Sequence, residues 1–398
     1  MVILKRFNFS RAIFALPFFL IFLANLIITR VQGFNYAGEL AVFAGISTFI
    51  SIFLSMRWDI EILVKNKINL RDSLRKGIMT VVFLSIFLLI TFYLINLNYP
   101  LHSFSVYLIY SAILIALYEL HINIFLKVES IKSFVILRTI PPILLIFFSS
   151  LDFSPDRAWF FSYLISLLLL ILSVQIYHKE VWTIEFPSLN FLQNFKLMFP
   201  PTVSALIANS ISVVWLVSIF NYFGSNEAGI WINAYRITSL SIAFCGAVIL
   251  PLVLVSIGNQ ISNKDKLFMM LKFSFLLLVI FIFTSLIFLY KGQVIFNLLT
   301  NNDSYIDNTF LAIVLTIGTM QYFMQYWKEV FQSINRTTAI MLILLVELLL
   351  VILLYFFGIN FTLIGFINSL LLITSLSFSF TLILIFISFL KSKSLISQ

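Results

Sequence analysis

Charge is scarce in this chain. Only 10% of its 398 residues are Asp, Glu, Lys or Arg, against about a quarter in a soluble globular domain, so the sequence cannot clothe a water-exposed surface of ordinary extent. Cysteine is nearly absent: Cys245 stands alone, which excludes an intramolecular disulfide and a multi-thiolate metal centre. Set in an apolar segment, it reads as a small helix-packing residue. The phosphate-cradling G-x-x-x-x-G-K-[ST] stretch, the H-E-x-x-H pair and paired-cysteine zinc spacings are all missing. The chain therefore has no recognisable means of hydrolysing ATP, and no cofactor is expected.

Hydrophobic residues make up 61% of the sequence and the mean hydropathy is +1.08. They come in continuous runs of about 17 to 25 residues, the length of membrane-crossing helices rather than of alternating barrel strands. The net charge of +9 would suggest a nucleic-acid partner in a soluble protein; here its placement along the chain points to membrane topology instead, and no nucleic acid is expected. The first apolar segment does not read as a cleavable signal, since many further spans follow and no small-residue cleavage site stands out.

A spaced pattern, G-x-N-x-A-G, occurs at Gly33–Gly38 and again at Gly224–Gly229. Each copy sits between a long apolar segment and another that begins at its last glycine, so a short turn joining two membrane helices has been written twice. Spans are expected at about 12–29, 38–56, 78–97, 105–126, 134–150 and 158–176, then at about 195–219, 229–255, 267–290, 308–331, 339–357 and 362–390. The expected fold is an all-α integral membrane protein of about twelve transmembrane helices, in two parallel-repeat six-helix bundles around a central cavity. The bundles cover 1–176 and 194–398, with a cytoplasmic linker at 177–193. With the N-terminus in the cytoplasm, twenty of the 25 Lys and Arg residues lie inside, and only Arg30, Arg157 and Lys291 lie outside. That asymmetry predicts that both termini are cytoplasmic. The longest outer loop, about Lys291 to Asn308, leaves no room for a folded domain.

A charge at the centre of a membrane helix costs about 2.5 to 3.5 kcal/mol on insertion scales. Glu119, Arg138, Arg236 and Glu347 fall within spans and should face the bundle interior or a wet cavity. Arg236 lies seven residues from Gly229, with Asn233 and Ser239 three residues to either side; it reads either as a cavity-lining group that attracts anions or as half of a structural pair. Arg138 is close enough to the inner end of its span to snorkel. Tyr107, Ser111, Glu119, Asn123 and Lys127 share one i, i+4 series and make a polar stripe down one helix face. Glu119 on that stripe and Glu347 among leucines are the candidate ion-coupling carboxylates. A comparable face carries Gln321, Gln325, Lys328 and Gln332, whereas His121 points away from Glu119 and reads as a packing residue. Pro17, Pro141-Pro142, Pro200-Pro201 and Pro251 are expected to interrupt helices, as bending points or as static kinks.

Two stretches carry a family resemblance. Arg57-Trp58-Asp59-Ile60-Glu61-Ile62, after the second span, resembles the R-[YFW]-[DE]-x-A-I stretch of polysaccharide repeat-unit (Wzx-type, O-antigen) flippases in the multidrug/oligosaccharidyl-lipid/polysaccharide (MOP) exporter superfamily. Ala228-Gly229-Ile230-Trp231-Ile232-Asn233-Ala234-Tyr235-Arg236 is similar to the family's A-G-x-Y-x-x-A-x-R. Glu61 departs from the usual small residue, and no role carries over to it. The resemblance implies a flippase that moves undecaprenyl-pyrophosphate-linked oligosaccharides across the bacterial inner membrane by alternating access. H+ or Na+ would drive it, and a polysaccharide polymerase and chain-length regulator would be its partners. It is no enzyme in that reading. Arg236 is the first expected cargo contact and Arg30, at the outer mouth, the second, with Asn233, Gln321 and Gln325 as further substrate-binding residues. Two rival readings remain: multidrug or small-solute export within the same superfamily, and an O-antigen or exopolysaccharide polymerase.

Overall fold

The computed structural model describes residues 16–59, 62, 70–98, 103–127, 131–177, 191–240, 263–301, 306–333, 337–357 and 361–394. The N-terminal basic segment, most of the stretch between Arg57 and Leu70, most of the 177–193 linker, Cys245 and Pro251 lie outside these residues, as does the side chain of Gln325. Among the described residues the chain is helical, with no strand. The helices are α1 (Leu16–Ser55), α2 (Leu70–Asn98), α3 (Ser103–Lys127), α4 (Ile131–Ser150), α5 (Pro155–Tyr177), α6 (Phe191–Phe223), α7 (225–240), α8 (Asn263–Thr300), α9 (Asn308–Ser333), α10 (Thr337–Phe357) and α11 (Leu363–Ser394). Eight of them are long and apolar enough to cross a membrane. Since α1 carries two of the expected spans, the described helices fall at the twelve expected positions, the one expected at 229–255 being described only as far as residue 240. Helix α4 continues through Pro141 and Pro142, and α6 through Pro200 and Pro201, rather than ending there.

The duplicated turn is shorter than the sequence suggests. Within α1 only Gly33 leaves the helical conformation, with φ 84° and ψ 176°, a region of backbone space reserved almost entirely for glycine. Phe34 to Gly38, expected as turn, already form the first turn of the following helix. The second copy does the same. Gly224 has φ 103°; its N–H donates back to the Phe220 carbonyl (3.0 Å) and its own carbonyl accepts from the Ala228 N–H (3.1 Å). One glycine thus ends one helix and starts the next, satisfying groups that helix ends otherwise leave bare.

The chain divides into two compact units, one formed by Met1–Arg30 with Val214–Gln398 and the other by Val31–Val213. In the second of these, α3 packs along both α2 and α5. Its core holds Leu54, Trp58, Leu74, Val81, Tyr118, Leu120, Ile122 and Phe125. Met56 and Arg57 adopt positive φ (44° and 58°) and stop α1, which turns Trp58 into that core. A side-chain carbon on Gly77 would come within 3.1 Å of the Trp58 Cβ, so only glycine lets α2 approach there. Arg57 and Asp59 face each other at 3.8 Å, and the Asn123 amide donates to the Asp59 carbonyl (3.1 Å). The R-W-D stretch is therefore a chain-reversing element anchored to α3.

In the other unit α9 packs against α8 and α11, and α10 against α11. The Trp327 indole donates to Ser274 (2.9 Å) and ties α9 to α8. Helix α8 runs on to Thr300, past Lys291 where an outer loop was expected. Asn301, at φ 54°, terminates it. Arg30 then caps that end, with Nε donating to the Leu299 carbonyl (2.6 Å) and Nη2 to the Leu298 carbonyl. A guanidinium there both satisfies orphan carbonyls and faces the negative end of the helix dipole.

The halves share a further contact. In the first, Tyr36 donates to the Phe153 carbonyl (2.9 Å) and Gln32 to the Ser149 carbonyl (2.8 Å), at the end of α4. In the second, Tyr222 donates to the Tyr355 carbonyl and Asn221 reaches the Tyr355 hydroxyl (3.4 Å), at the end of α10. Each helix break is thus held to the end of the fifth span of its half, as a duplicated architecture requires.

Two outcomes follow from these contacts. Gly224→Ala should cost about 1 kcal/mol or more, because an alanine at positive φ clashes with its own backbone; it should lower the melting temperature of the purified protein in detergent. Arg30→Ala should lower it as well, by about 1 kcal/mol in stability terms for the lost helix-end bonds, with Arg30→Lys intermediate. An unchanged melting curve in Arg30→Ala would show that the cap contributes nothing.

Candidate functional site

In the unit containing α7 to α11, Arg236 on α7 and Glu347 on α10 lie within spans and have no ion-pair partner among the described residues. The N-terminal turns of α7 are fixed by a buried network. The Thr29 hydroxyl stands within 2.8 Å of the Asn25 carbonyl and 3.1 Å of the Asn233 Oδ1, while the Asn233 amide donates to the Gly229 carbonyl (2.8 Å). Asn233 is buried in this network, so it positions α7 and presents no surface to a ligand. Arg236, one turn further on, is half-buried instead.

Around Arg236 the surroundings are aromatic and hydroxylic. Tyr322 on α9 is the titratable group that acts on it electrostatically among the described residues, and the Ser239 hydroxyl, bonded to the Tyr235 carbonyl, faces the same phenol. Tyr235 reaches Gln321 Oε1 through its hydroxyl (3.5 Å) and stacks at 6.3 Å on Trp231, which meets Trp215 edge-on at 6.4 Å. The close approach of α9 depends on Gly318, where a Cβ would lie 3.3 Å from the Ser239 Cβ and from the Tyr235 ring. Tyr235 and Tyr322 were not singled out in the sequence. The Gly318, Tyr322, Tyr326 spacing of four along α9 was the available signal, since it places a small residue and two phenols on one face.

Glu347 is completely buried. Gln321 and Ser377 face its carboxylate without completing a hydrogen bond, and both oxygens are unpartnered among the described residues. Burying an ionised carboxylate without partners costs several kcal/mol, so this position calls for a proton or a bound cation. Gln321 thus stands between the Tyr235 side of the cluster and the acid. Among the described residues no group of three or more His, Cys, Asp or Glu side chains comes together.

In the other unit, the structure joins two residues that the sequence treated separately. Arg138 on α4 donates through Nη1 to both carboxylate oxygens of Glu119 on α3, each at 2.6 Å. The Tyr118 ring lies 5.9 Å from the guanidinium carbon, and its hydroxyl donates to the Leu137 carbonyl (2.9 Å). Arg138 is therefore a partner for Glu119 rather than a snorkelling residue. Of the remaining expected contacts, Arg30 is committed to the end of α8.

No protein-family model matches the sequence, and no curated protein matches it. Solved structures do. The lipid II flippase MurJ in an inward closed conformation aligns with a TM-score of 0.69 at 15% identity, over 96% of this chain and 88% of that one. An inward-facing multidrug-resistance MATE-family transporter of the MOP superfamily aligns with a TM-score of 0.65 at 14% identity, over 98% of both chains. A MOP-superfamily transporter from Pyrococcus furiosus aligns with a TM-score of 0.62 at 15% identity, over 99% of this chain and 95% of that one. These neighbours are transporters and flippases rather than enzymes. With its apolar helices and duplicated helix breaks, the chain is a multi-pass membrane protein with the fold of the MOP-superfamily transporters.

Proposed function

We propose that the chain is a flippase for undecaprenyl-pyrophosphate-linked oligosaccharide repeat units, acting by alternating access in the bacterial inner membrane with both termini in the cytoplasm. The observation that carries this reading is Arg236: a guanidinium deep in a membrane span, with no carboxylate to neutralise it among the described residues and a phenol beside it. Such a group is costly unless an anion visits it, and a pyrophosphate takes up the several donors of one guanidinium in directed pairs. Hydroxyl and aromatic neighbours such as Tyr235, Tyr322 and Trp231 suit a sugar, which offers both hydroxyls and apolar ring faces. Gln321 extends the polar lining in this reading, and Gln325, proposed as a further cargo contact, has its side chain outside the described residues. Arg30 and Asn233 then shape the site and do not touch cargo.

Glu347 is the coupling group in this scheme. It takes up H+ or Na+ to leave its uncompensated state and releases it when the cavity changes access, a cycle that links cargo movement to an ion gradient. Glu119, held by Arg138, is less free to do so. A polysaccharide polymerase and a chain-length regulator would consume the product. The MATE-family neighbours favour small-solute export as the second reading, and the sign of the charge separates the two: an unpaired arginine repels the cationic compounds that an acid-lined pocket would attract.

Arg236→Ala should abolish surface polysaccharide, at least about a tenfold loss for a missing charge-assisted pair, while the protein stays in the membrane; Arg236→Lys should recover part of it. Normal polysaccharide in the alanine variant would sink the assignment. In reconstituted vesicles Glu347→Gln should lose the response of transport to an imposed ion gradient, and a response equal to that of the unmodified protein would remove Glu347 from coupling.

A further inference from the structure

We propose that Gln321 couples the ion site to the cargo site: its amide takes up the protonation state of Glu347 and hands it to the Tyr235 hydroxyl as the direction of a hydrogen bond. A proton on Glu347 and a cargo beside Arg236 then oppose each other. This rests on the cargo and coupling roles proposed above, takes the proton as the coupling ion and assigns the residue that stands between the two.

The geometry is a short line across three helices of one unit. Glu347 on α10 is completely buried. Of the helices packed on α10, α11 turns Ser377 and α9 turns Gln321 toward its carboxylate, and neither brings it a charged or titratable side chain among the described residues. Gln321 is half-buried and directs Oε1 to the Tyr235 hydroxyl on α7, 3.5 Å away. Tyr235 directly precedes Arg236, stacks on Trp231 and has Tyr322 and Tyr326 of α9 as its titratable neighbours.

An amide has two unlike ends, a carbonyl that only accepts and an NH2 group that only donates. An ionised Glu347 only accepts, so it calls for the Nε2 end and leaves Oε1 to Tyr235, the orientation the structure has. The phenol then gives its proton to Gln321 and presents its oxygen as an acceptor for a sugar hydroxyl. Every donor in this line points toward the carboxylate, so the bonds polarise one another. The ionised acid thereby favours the sugar, and the sugar favours the ionised acid. Protonation reverses the line. The acid O–H is itself a donor, draws Oε1 to Glu347 and leaves Nε2 for Tyr235, which must now accept from the amide and donate outward. The sugar hydroxyl meets a donor instead of an acceptor, and the assistance of the charge is gone. By linkage, bound cargo must expel the proton from Glu347 to the same extent, which is exchange of one for the other rather than joint passage.

The test uses the purified full chain in detergent and farnesyl-diphosphate-linked N-acetylglucosamine, whose two phosphates are both esterified and keep their charge over the range used. Binding is measured at about pH 5.5 and about pH 8.5, to either side of neutrality. The unmodified chain should bind the probe about tenfold more tightly in the alkaline buffer. That ratio should vanish in Gln321→Leu and in Tyr235→Phe, which break the line at different links, and in Glu347→Gln, which removes the titrating group. A ratio retained in Gln321→Leu or in Tyr235→Phe, or tighter binding by the unmodified chain in acid, would overturn the proposal. A readout without ligand separates it from the cargo reading. Because Tyr235 stacks on Trp231, the change of buffer should alter the part of the tryptophan emission that Trp231→Phe removes, and Gln321→Leu and Glu347→Gln should abolish that change. Emission that responds through Gln321 where no probe binds leaves the relay standing while the flippase reading fails. A probe that binds through Arg236 with neither ratio nor emission depending on Gln321 does the reverse.

Discussion

Hydrocarbon offers no hydrogen-bond partner, so every polar atom within a span must find one inside its own bundle. Most of this chain meets that demand locally. Hydroxyls fold back onto the carbonyl four residues earlier, as Ser162 does to Ala158, Ser166 to Ser162 and Thr238 to Ala234, which makes serine and threonine cheap to carry through the membrane. Charged groups have no such local remedy. Glu119 and Arg138 answer each other across two helices, Arg30 answers a helix end, and Arg236 and Glu347 have no ion-pair partner among the described residues. The proposed function is built on those two exceptions.

The duplication makes the contrast sharper. In the first half the fourth and fifth spans, α3 and α4, carry an acid and a base that meet. In the second half the corresponding helices, α9 and α10, carry Gln321 and Glu347, so the acid has moved to the fifth span and faces a neutral amide. Arg236, on α7, stands beside Tyr322 instead. Similar helix arrangements thus carry a neutralised pair in the first half and separated charges in the second. Paired charges hold helices together, whereas separated charges attract ligands of opposite sign.

Much of the fold was legible in the sequence because it rests on one-dimensional signals: the length of apolar runs, the placement of lysine and arginine, and the recurrence of glycine at a fixed place in each half. What was not legible depends on how helices are rotated about their axes and on how they end. Arg138 lies nineteen residues from Glu119, and nothing in linear spacing says that the two point at each other. Asn233 looked like part of a polar cargo face, yet its side chain is buried against Thr29 and Gly229. The turn expected over six residues is one residue long, since a glycine at positive φ can close one helix and open another. The outer loop after Lys291 is largely helix, because Lys291, Gly292 and Gln293 are tolerated in a helix that has support at its end from Arg30.

That single-residue connection has a mechanical meaning. A loop of several residues lets two rods drift with respect to each other, absorbing displacement before it reaches the second rod. At Gly224 the linkage has only the φ and ψ of one residue as soft variables, and the residues on both sides are already locked into helical hydrogen bonding. Such a joint works like a hinge with no slack: it permits a change of angle, yet its ends cannot separate, so a displacement of the end of α6 is carried into the start of α7, the helix of Arg236.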